Sequence, residues 1–375
     1  MRPPLSGVVM CGRLLSTMSD TDVTELAVRA APPDVVGPYL TAELGDDGWR
    51  DSVVQLISGG KSNLTFVVTS AAGEVVLRRP PLSTVLPTAH DMRREHRVMT
   101  ALWETPVPVP RTRLLCTDES VLGAPFYVMD RVSGHIVRER IPDGYADQRE
   151  QRRAIGFGLV DVLAALHCVD PDAVGLTDFG RPAGYLERQV RRWTSQWEAS
   201  RRPDEPEGPE LDRLAERLVA RLPPAPTGPI VHGDYRLDNT MLDPDEPGRI
   251  AAVLDWELST RGDPLADLGL LYVYWPQSDD GPDREGTLAV ESVTALPGFP
   301  TRAELFDRYA ERTGADLSAL PWYVGFGSFK LAVVCAGVAA RGRAGAMIGE
   351  GFVEMAQRIG PLVRLGHHAL DDKLR

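Results

Sequence analysis

A chain of 375 residues with 43% hydrophobic and 25% charged residues has the composition of a folded globular protein large enough to bury a sizeable core. Its formal net charge of −12 repels polynucleotides and anionic membrane surfaces, which argues against nucleic acid and membrane as partners. Four scattered cysteines without a Cys-x-x-Cys pair read as reduced packing thiols and point to a cytoplasmic location.

Residues 1–33 read as a partly disordered tail leading into a short helix. Their one brief apolar run, before Arg13, is shorter than a signal peptide requires, and Met18 is an alternative start. No segment is expected to approach the apolar length of a membrane span. From Ser52 the pattern turns to strands: 52–57 and 64–69 flank the loop Ser58-Gly-Gly-Lys-Ser-Asn63, and 74–79 follows before Pro80-Pro81. Helical spacing over 88–103 and strand candidates at 114–115 and 125–129 complete a small, mostly β lobe. Beyond Asp130 the spacing predicts helices at 149–168, 184–200 and 209–222, then a hairpin over 240–254 and a helical remainder to about 365.

Chemistry concentrates in Ile230-Val-His-Gly-Asp-Tyr-Arg-Leu-Asp-Asn-Thr-Met-Leu242 and Val253-Leu-Asp-Trp-Glu257. A kinase-type site needs one carboxylate to orient the attacking hydroxyl, and an amide with a second carboxylate to hold magnesium on the ATP phosphates. Asp234 and Asn239 have the Asp-x-x-x-x-Asn spacing of a kinase catalytic loop, and Asp255 follows where the second metal-binding carboxylate belongs. Singly, such residues cap helices and make turns; the combination is far more specific. A hairpin between Asn239 and Asp255 lets all three meet at one edge. His232 is expected to pack beneath the loop and bond backbone, His167 to be a packing histidine, and Asp263 and Asp267 to cap a helix and brace the loop.

The glycine loop fails as a Walker A motif, because Gln55 stands where its first glycine belongs and a strand follows instead of a helix. Between two strands it can fold over nucleotide phosphates, through Gly59, Gly60, Ser62 and Asn63, or be an ordinary turn; its place ahead of the third strand favours the first. Val75-Val-Leu-Arg78 is similar to the Val-Ala-Ile-Lys strand that supplies a cation to those phosphates, with Glu95 as the carboxylate that positions it. The cation here is arginine, which can bridge phosphate oxygens bidentately but is not interchangeable with lysine. Taken alone, such a pair is more often a surface salt bridge. The seven histidines lack metal-ligand spacing, the calcium-like run at Asp243 has Leu254 at its twelfth position, and no Gly-x-Ser-x-Gly elbow occurs.

With these residues in hand, the chain resembles the aminoglycoside phosphotransferase and choline kinase-like family over about residues 35–365. The resemblance rests on His232-Gly-Asp-Tyr-Arg-Leu-Asp-Asn239, Asp255-Trp-Glu257 and Gly262-Asp-Pro-Leu-Ala-Asp267. Val76-Leu-Arg-Arg79, Arg94-Glu95 and 184–193 look closest to the kinase-like domains associated with acyl-CoA dehydrogenases. The resemblance implies an α+β, two-lobed protein-kinase-like fold: a nucleotide-binding N-lobe over 34–129 and a catalytic, substrate-binding C-lobe over 130–375. It further implies ATP and Mg2+ as cofactors, Asp234 as the base, Asn239 and Asp255 as metal ligands, Arg78 on phosphate supported by Glu95, and the strand with Tyr127 and Met129 lining the adenine pocket. The expected reaction moves the γ-phosphoryl group to a hydroxyl of a small molecule, a metabolite or hydroxyacyl compound ahead of an antibiotic. Tyr185, Trp193, Trp256 and the 272–280 segment are candidates for the acceptor pocket, and Asp279, Asp280, Asp283 and Glu285 hint at a cationic one. The alternatives are an antibiotic-modifying phosphotransferase and a nucleotide-binding pseudokinase, the latter favoured only by arginine at position 78. The sequence leaves oligomeric state open.

Overall fold

In the computed structural model of the chain the described residues are 20–58, 63–82, 91–202, 204–224, 228–281, 284–287, 292–344 and 352–373. Gly59, Gly60 and Ser62 of the glycine loop, and Asp283, lie outside them. The fold divides into two compact units, one drawn from Met1–Trp103 and Val109–Val132, the other from Glu104–Pro108, Ser133–Ala346 and Gly351–Arg375.

The first unit is a five-stranded antiparallel sheet with helices on both faces. Its strands are β1 (Val53–Ser58), β2 (Leu64–Ser70), β3 (Gly73–Arg79), β4 (Thr112–Cys116) and β5 (Phe126–Asp130), in the order β1-β2-β3-β5-β4. Because side chains alternate along a strand, Leu64, Phe66, Val68, Val75, Leu77, Phe126 and Val128 share one face. They form a core with Ala27 and Ala30 of helix α1 (Asp20–Ala30) and Val36 and Leu40 of α2 (Pro33–Leu44). The opposite face carries Val76, Arg78, Tyr127 and Met129. Against it packs α3 (Met92–Leu102), whose Met92, Glu95, Val98, Met99 and Leu102 recur at helical intervals and are all buried. Arg78 and Arg79 therefore part company: Arg79 is 2% exposed and gives its guanidinium to the Ala30 and Leu122 carbonyls, at 2.5 and 2.7 Å.

The second unit is mostly helical. Helices α4 (Glu119–Leu122, in the first unit), α5 (Arg149–Cys168), α6 (Tyr185–Ser200) and α7 (Gly208–Ala220) are followed by the short strands β6 (Ile230–Val231), β7 (Thr240–Leu242), β8 (Ile250–Val253) and β9 (Thr260–Arg261). Helices α8 (Pro264–Tyr274), α9 (Arg302–Thr313), α10 (Leu320–Arg343) and α11 (Ile359–Leu370) complete it. The remainder is less helical than the spacing suggests: the described residues between 275 and 301 contain no α-helix, because Pro276, Pro297 and Pro300 remove the amide donors a helix needs. This stretch is fixed instead by the Trp275 indole on the Pro300 carbonyl (3.0 Å) and by Asp280 paired to Arg302.

The expectation about membrane-span length is corrected by α10, which is long and apolar enough to cross a membrane, though most of it is buried among the other helices here. It packs between α8 and α11, and glycines permit the approach. A Cβ on Gly269 would stand 2.2 Å from the Tyr323 carbonyl oxygen. Gly269→Ala is expected to cost about 1–3 kcal/mol by forcing α8 off α10; an unchanged urea midpoint would contradict this packing account.

Candidate active site

The catalytic stretch begins where β6, paired with β9, runs out at Val231. Gly233 follows at φ 86°, and a Cβ there would press on the Leu258 carbonyl at 2.8 Å, so only glycine carries the chain through this turn. His232 is fully buried. Its Nε2–H donates to the Leu254 carbonyl (2.9 Å) and its Nδ1 accepts the Asp234 amide (3.2 Å), an arrangement that requires the neutral ring with hydrogen on Nε2. Trp256 lies against the ring at 4.8 Å. His232 thus ties three segments of the loop together, as its expected structural role demands.

Asp234 emerges from this brace partly exposed, its side chain at 25%. A short 3-10 turn, Leu237–Asn239, brings Asn239 back to it, and the Asn239 Nδ2 donates to the Asp234 carbonyl oxygen (2.9 Å) and carboxylate (3.0 Å). The side-chain nitrogen being so engaged, Oδ1 is the atom the Asn239 side chain presents elsewhere. β7 and β8 then pair with Thr240 opposite Val253, and the Leu254 amide closes on the Asn239 carbonyl at 2.8 Å. Asp255 therefore follows directly beside Asn239, in the left-handed conformation (φ 64°) that aspartate tolerates better than most side chains. The three residues singled out by spacing are thus carried on one loop and hairpin. An amide oxygen and a carboxylate are hard oxygen donors suited to Mg2+, which takes few protein ligands and completes its shell with water and phosphate. No cluster of three or more His, Cys, Asp or Glu with metal-site geometry occurs among the described residues, so a closed zinc-type cage is not what they build.

Helix α8 secures the loop from behind. Asp263 caps it by accepting the Leu265 amide (3.1 Å) and also receives the Tyr323 hydroxyl (2.5 Å). Asp267, buried in the first turn, accepts the His232 amide (2.7 Å), the Gly233 amide (2.8 Å) and His167 Nε2 (3.2 Å). Burial alone would raise its pKa, but His167 and His232, the latter partly through its backbone amide, hold it below the ordinary aspartate value. Capping and bracing are therefore divided between these two aspartates as anticipated.

Two cations near Asp234 escaped sequence reasoning. Arg236 lies 3.7 Å from the Asp234 carboxylate and 3.3 Å from Asp238, over the ring of Tyr274 at 4.6 Å. Lys330, from α10, donates to the Gly233 carbonyl (2.5 Å) and sits over the Trp193 ring at 5.3 Å. Burial lowers its pKa, and Asp234 and Asp267 oppose that. Its sequence signal was available: it is the only charged residue between Leu320 and Ala340. Lys330, Trp193, Tyr185 and Gly233 enclose a cavity of about 20 Å³, room for about one water molecule. The Trp193 indole nitrogen is buried there without a hydrogen-bond partner among the described residues. Of the other aromatic candidates, Trp256, Tyr272 and Trp275 are core residues. Asp280 is committed to Arg302 and Arg284 and builds no acidic pocket.

In the first unit Arg78 stands opposite Tyr127 in the sheet. Its Nε meets Glu95 at 2.9 Å, and Glu95, 1% exposed, also accepts Asn63 (2.8 Å) and the Tyr127 hydroxyl (3.0 Å). The pair is thus no surface salt bridge. Tyr127 and Met129 are buried in the strand, and the Tyr127 hydroxyl is spent on Glu95. Arg78→Met leaves a buried carboxylate without its cation and is expected to destabilise the unit by about 3 kcal/mol; denaturant unfolding that matches wild type would exclude this.

A buried arginine–glutamate pair on a five-stranded antiparallel sheet, with Asp-x-x-x-x-Asn and a following Asp on a braced loop in a helical unit, are the parts of a kinase-like phosphotransferase. The chain belongs to the phosphotransferase enzyme family, whose model matches residues 53–305. It is 36% identical over 336 residues to mouse acyl-CoA dehydrogenase family member 10, covering 89% of this chain and 30% of that one. It is 35% identical over 360 residues to rat acyl-CoA dehydrogenase family member 11, covering 92% and 45%. The chain thus spans less than half the length of these relatives. Among solved structures, a presumed aminoglycoside phosphotransferase from Ralstonia eutropha JMP134 is 33% identical with a TM-score of 0.75, covering 91% of this chain and 99% of that one. Aminoglycoside phosphotransferase APH(4)-Ia, solved with AMP-PNP and hygromycin B, shares the fold at 16% identity and a TM-score of 0.58, covering 88% and 98%. The family drawn from the motifs and the α+β kinase-like fold are therefore both established.

Proposed function

We propose that the chain transfers the γ-phosphoryl group of ATP to a hydroxyl of a small metabolite or hydroxyacyl compound. The observation that carries this is the Asp234–Asn239 contact, with Asp255 set beside it by the hairpin. Asp234 orients the acceptor hydroxyl and takes its proton; the Asn239 amide fixes the carboxylate that does so. The Asn239 side-chain oxygen Oδ1 and the Asp255 carboxylate would hold magnesium, which when bound would offset the charge of the transferring group. Arg78, aimed by Glu95, binds phosphate oxygens, and Asn63 and Tyr127 act through Glu95. Met129 belongs to the strand assigned to the adenine, and Gly59, Gly60 and Ser62 to the phosphates. The Arg78–Glu95 pair weakens the pseudokinase alternative, since the arginine makes the ion pair expected of a phosphate-binding cation.

Lys330 and Arg236 beside Asp234 disfavour a polycationic aminoglycoside as acceptor, and the relatives named for acyl-CoA dehydrogenases support a metabolic one. Purified protein with Mg-ATP or Mg-GTP should be offered pools of hydroxyacyl compounds, hydroxylated metabolites and aminoglycosides. A phosphate-sized mass gain in the first two pools, absent with Asp234→Asn, is expected; a gain in the aminoglycosides alone would overturn the acceptor assignment. Lys330→Met removes a charged donor from the Gly233 carbonyl and is expected to lower kcat by about tenfold. Unchanged kcat would remove Lys330 from the machinery.

A further inference from the structure

On the far side of Asp267 from the catalytic loop lies a second cavity, of about 460 Å³, within the usual size range of small-ligand pockets. It belongs wholly to the second unit. Part of its polar lining, His167, Tyr309 and Asp263, belongs to the scaffold of the loop. The Tyr309 hydroxyl lies 2.8 Å from His167 Nδ1, and His167 Nε2 reaches Asp267, which holds the amides of His232 and Gly233. Since Asp267 can only accept, His167 donates through Nε2 and a neutral ring accepts from Tyr309 through Nδ1. A continuous chain of hydrogen bonds therefore runs from the wall of this cavity to the backbone beside Asp234.

The chemistry of the lining selects its ligand. The lining includes two carboxylates: Asp263 accepts the Leu265 amide and the Tyr323 hydroxyl, and Asp316 accepts the Ser318 amide and hydroxyl. The phenol rings of Tyr309 and Tyr323 line it too, and no lysine or arginine is among the described lining residues. Carboxylates and aromatic faces both attract cations. Pro224, Leu265 and Ala319 supply an apolar wall for the body of a ligand. Burial raises the pKa of Asp263, a shift that a cation beside it would oppose. Cys168, exposed, marks the rim.

We propose that this cavity binds a small organic cation with an apolar body, and that its occupancy is passed to the His232–Gly233 backbone through His167 and Asp267. Neither half requires that the chain transfer phosphate, so failure of that reading and failure of this one are distinguishable. The probe is cyclohexylmethylamine, with cyclohexanemethanol and cyclohexanecarboxylate as matched neutral and anionic controls. Alkylation of Cys168, read on its own peptide by mass spectrometry, is expected to slow about threefold at an amine concentration about twice its dissociation constant. The alcohol should protect less, and the carboxylate should leave the rate unchanged. Amide hydrogen exchange at His232 and Gly233 should slow in parallel with amine occupancy. Asp263 caps α8 and is left intact. Ala319→Trp fills the cavity and should abolish both effects, while Asp316→Asn should weaken the amine selectively. Equal protection by amine and carboxylate, or none by any probe at millimolar concentration, would overturn the cation site. Protection of Cys168 without any change in exchange at His232 and Gly233 would overturn the coupling.

Discussion

Asp234→Asn is expected to slow phosphoryl transfer by about 10²–10⁴-fold, the range a positioned general base contributes, and to leave Mg-ATP affinity unchanged. The geometry makes this a clean test. An asparagine oxygen can still accept from the Asn239 Nδ2, whose other bond, to the Asp234 backbone carbonyl, does not involve the side chain. The amide at 234 still reaches His232 Nδ1, so the loop keeps its brace. What disappears is the carboxylate charge and its capacity to take a proton. Single-turnover transfer to the acceptor found by the metabolite screen, together with calorimetric titration of Mg-ATP, separates the two effects. Retained turnover would remove Asp234 from its assigned role, and lost nucleotide binding would mean that the substitution disturbed more than proton transfer.

Asp267→Ala is expected to be strongly destabilising in the second unit, at about 3–5 kcal/mol, because three buried donors lose their acceptor at once. Two loop amides and His167 would lose their acceptor in a site where Asp267 is only 1% exposed. The pH dependence gives an independent check. A carboxyl whose folded pKa is depressed contributes stability that is complete above its unfolded value, near 4, and is lost as pH falls through the folded one. The gap between wild type and Asp267→Ala should therefore narrow as pH falls below about 4. A gap of constant size from neutrality to pH 3 would mean that Asp267 acts by packing and not by charge.

Much of this molecule was legible before any fold was known, and the reasons are local. The antiparallel strands announce themselves by short β-branched runs, and α5 by apolar residues at helical intervals, so their bounds were read closely. Asp234, Asn239 and Asp255 were legible because a hairpin between them converts sequence spacing into spatial proximity. The described residues between 275 and 301 depart from the helical expectation, because Pro276, Pro297 and Pro300 remove helix donors there. Helix α10 has the apolar length of a membrane span, and the partner of the lone lysine in its middle is fixed only by packing.

Sequence by itself determined the strand–helix alternation, the catalytic loop and hairpin, and the family, since each depends on residues close together along the chain. Tertiary structure decided which of two adjacent arginines meets Glu95, because that follows from the face each presents: Arg78 towards α3, Arg79 towards α1. It also decided that Lys330, about a hundred residues from Gly233, would reach that carbonyl, and that Asp267 would join His167 to the loop. Such contacts arise when helices far apart in sequence pack to bury their apolar faces. No periodicity along the chain encodes which polar group is carried in beside which.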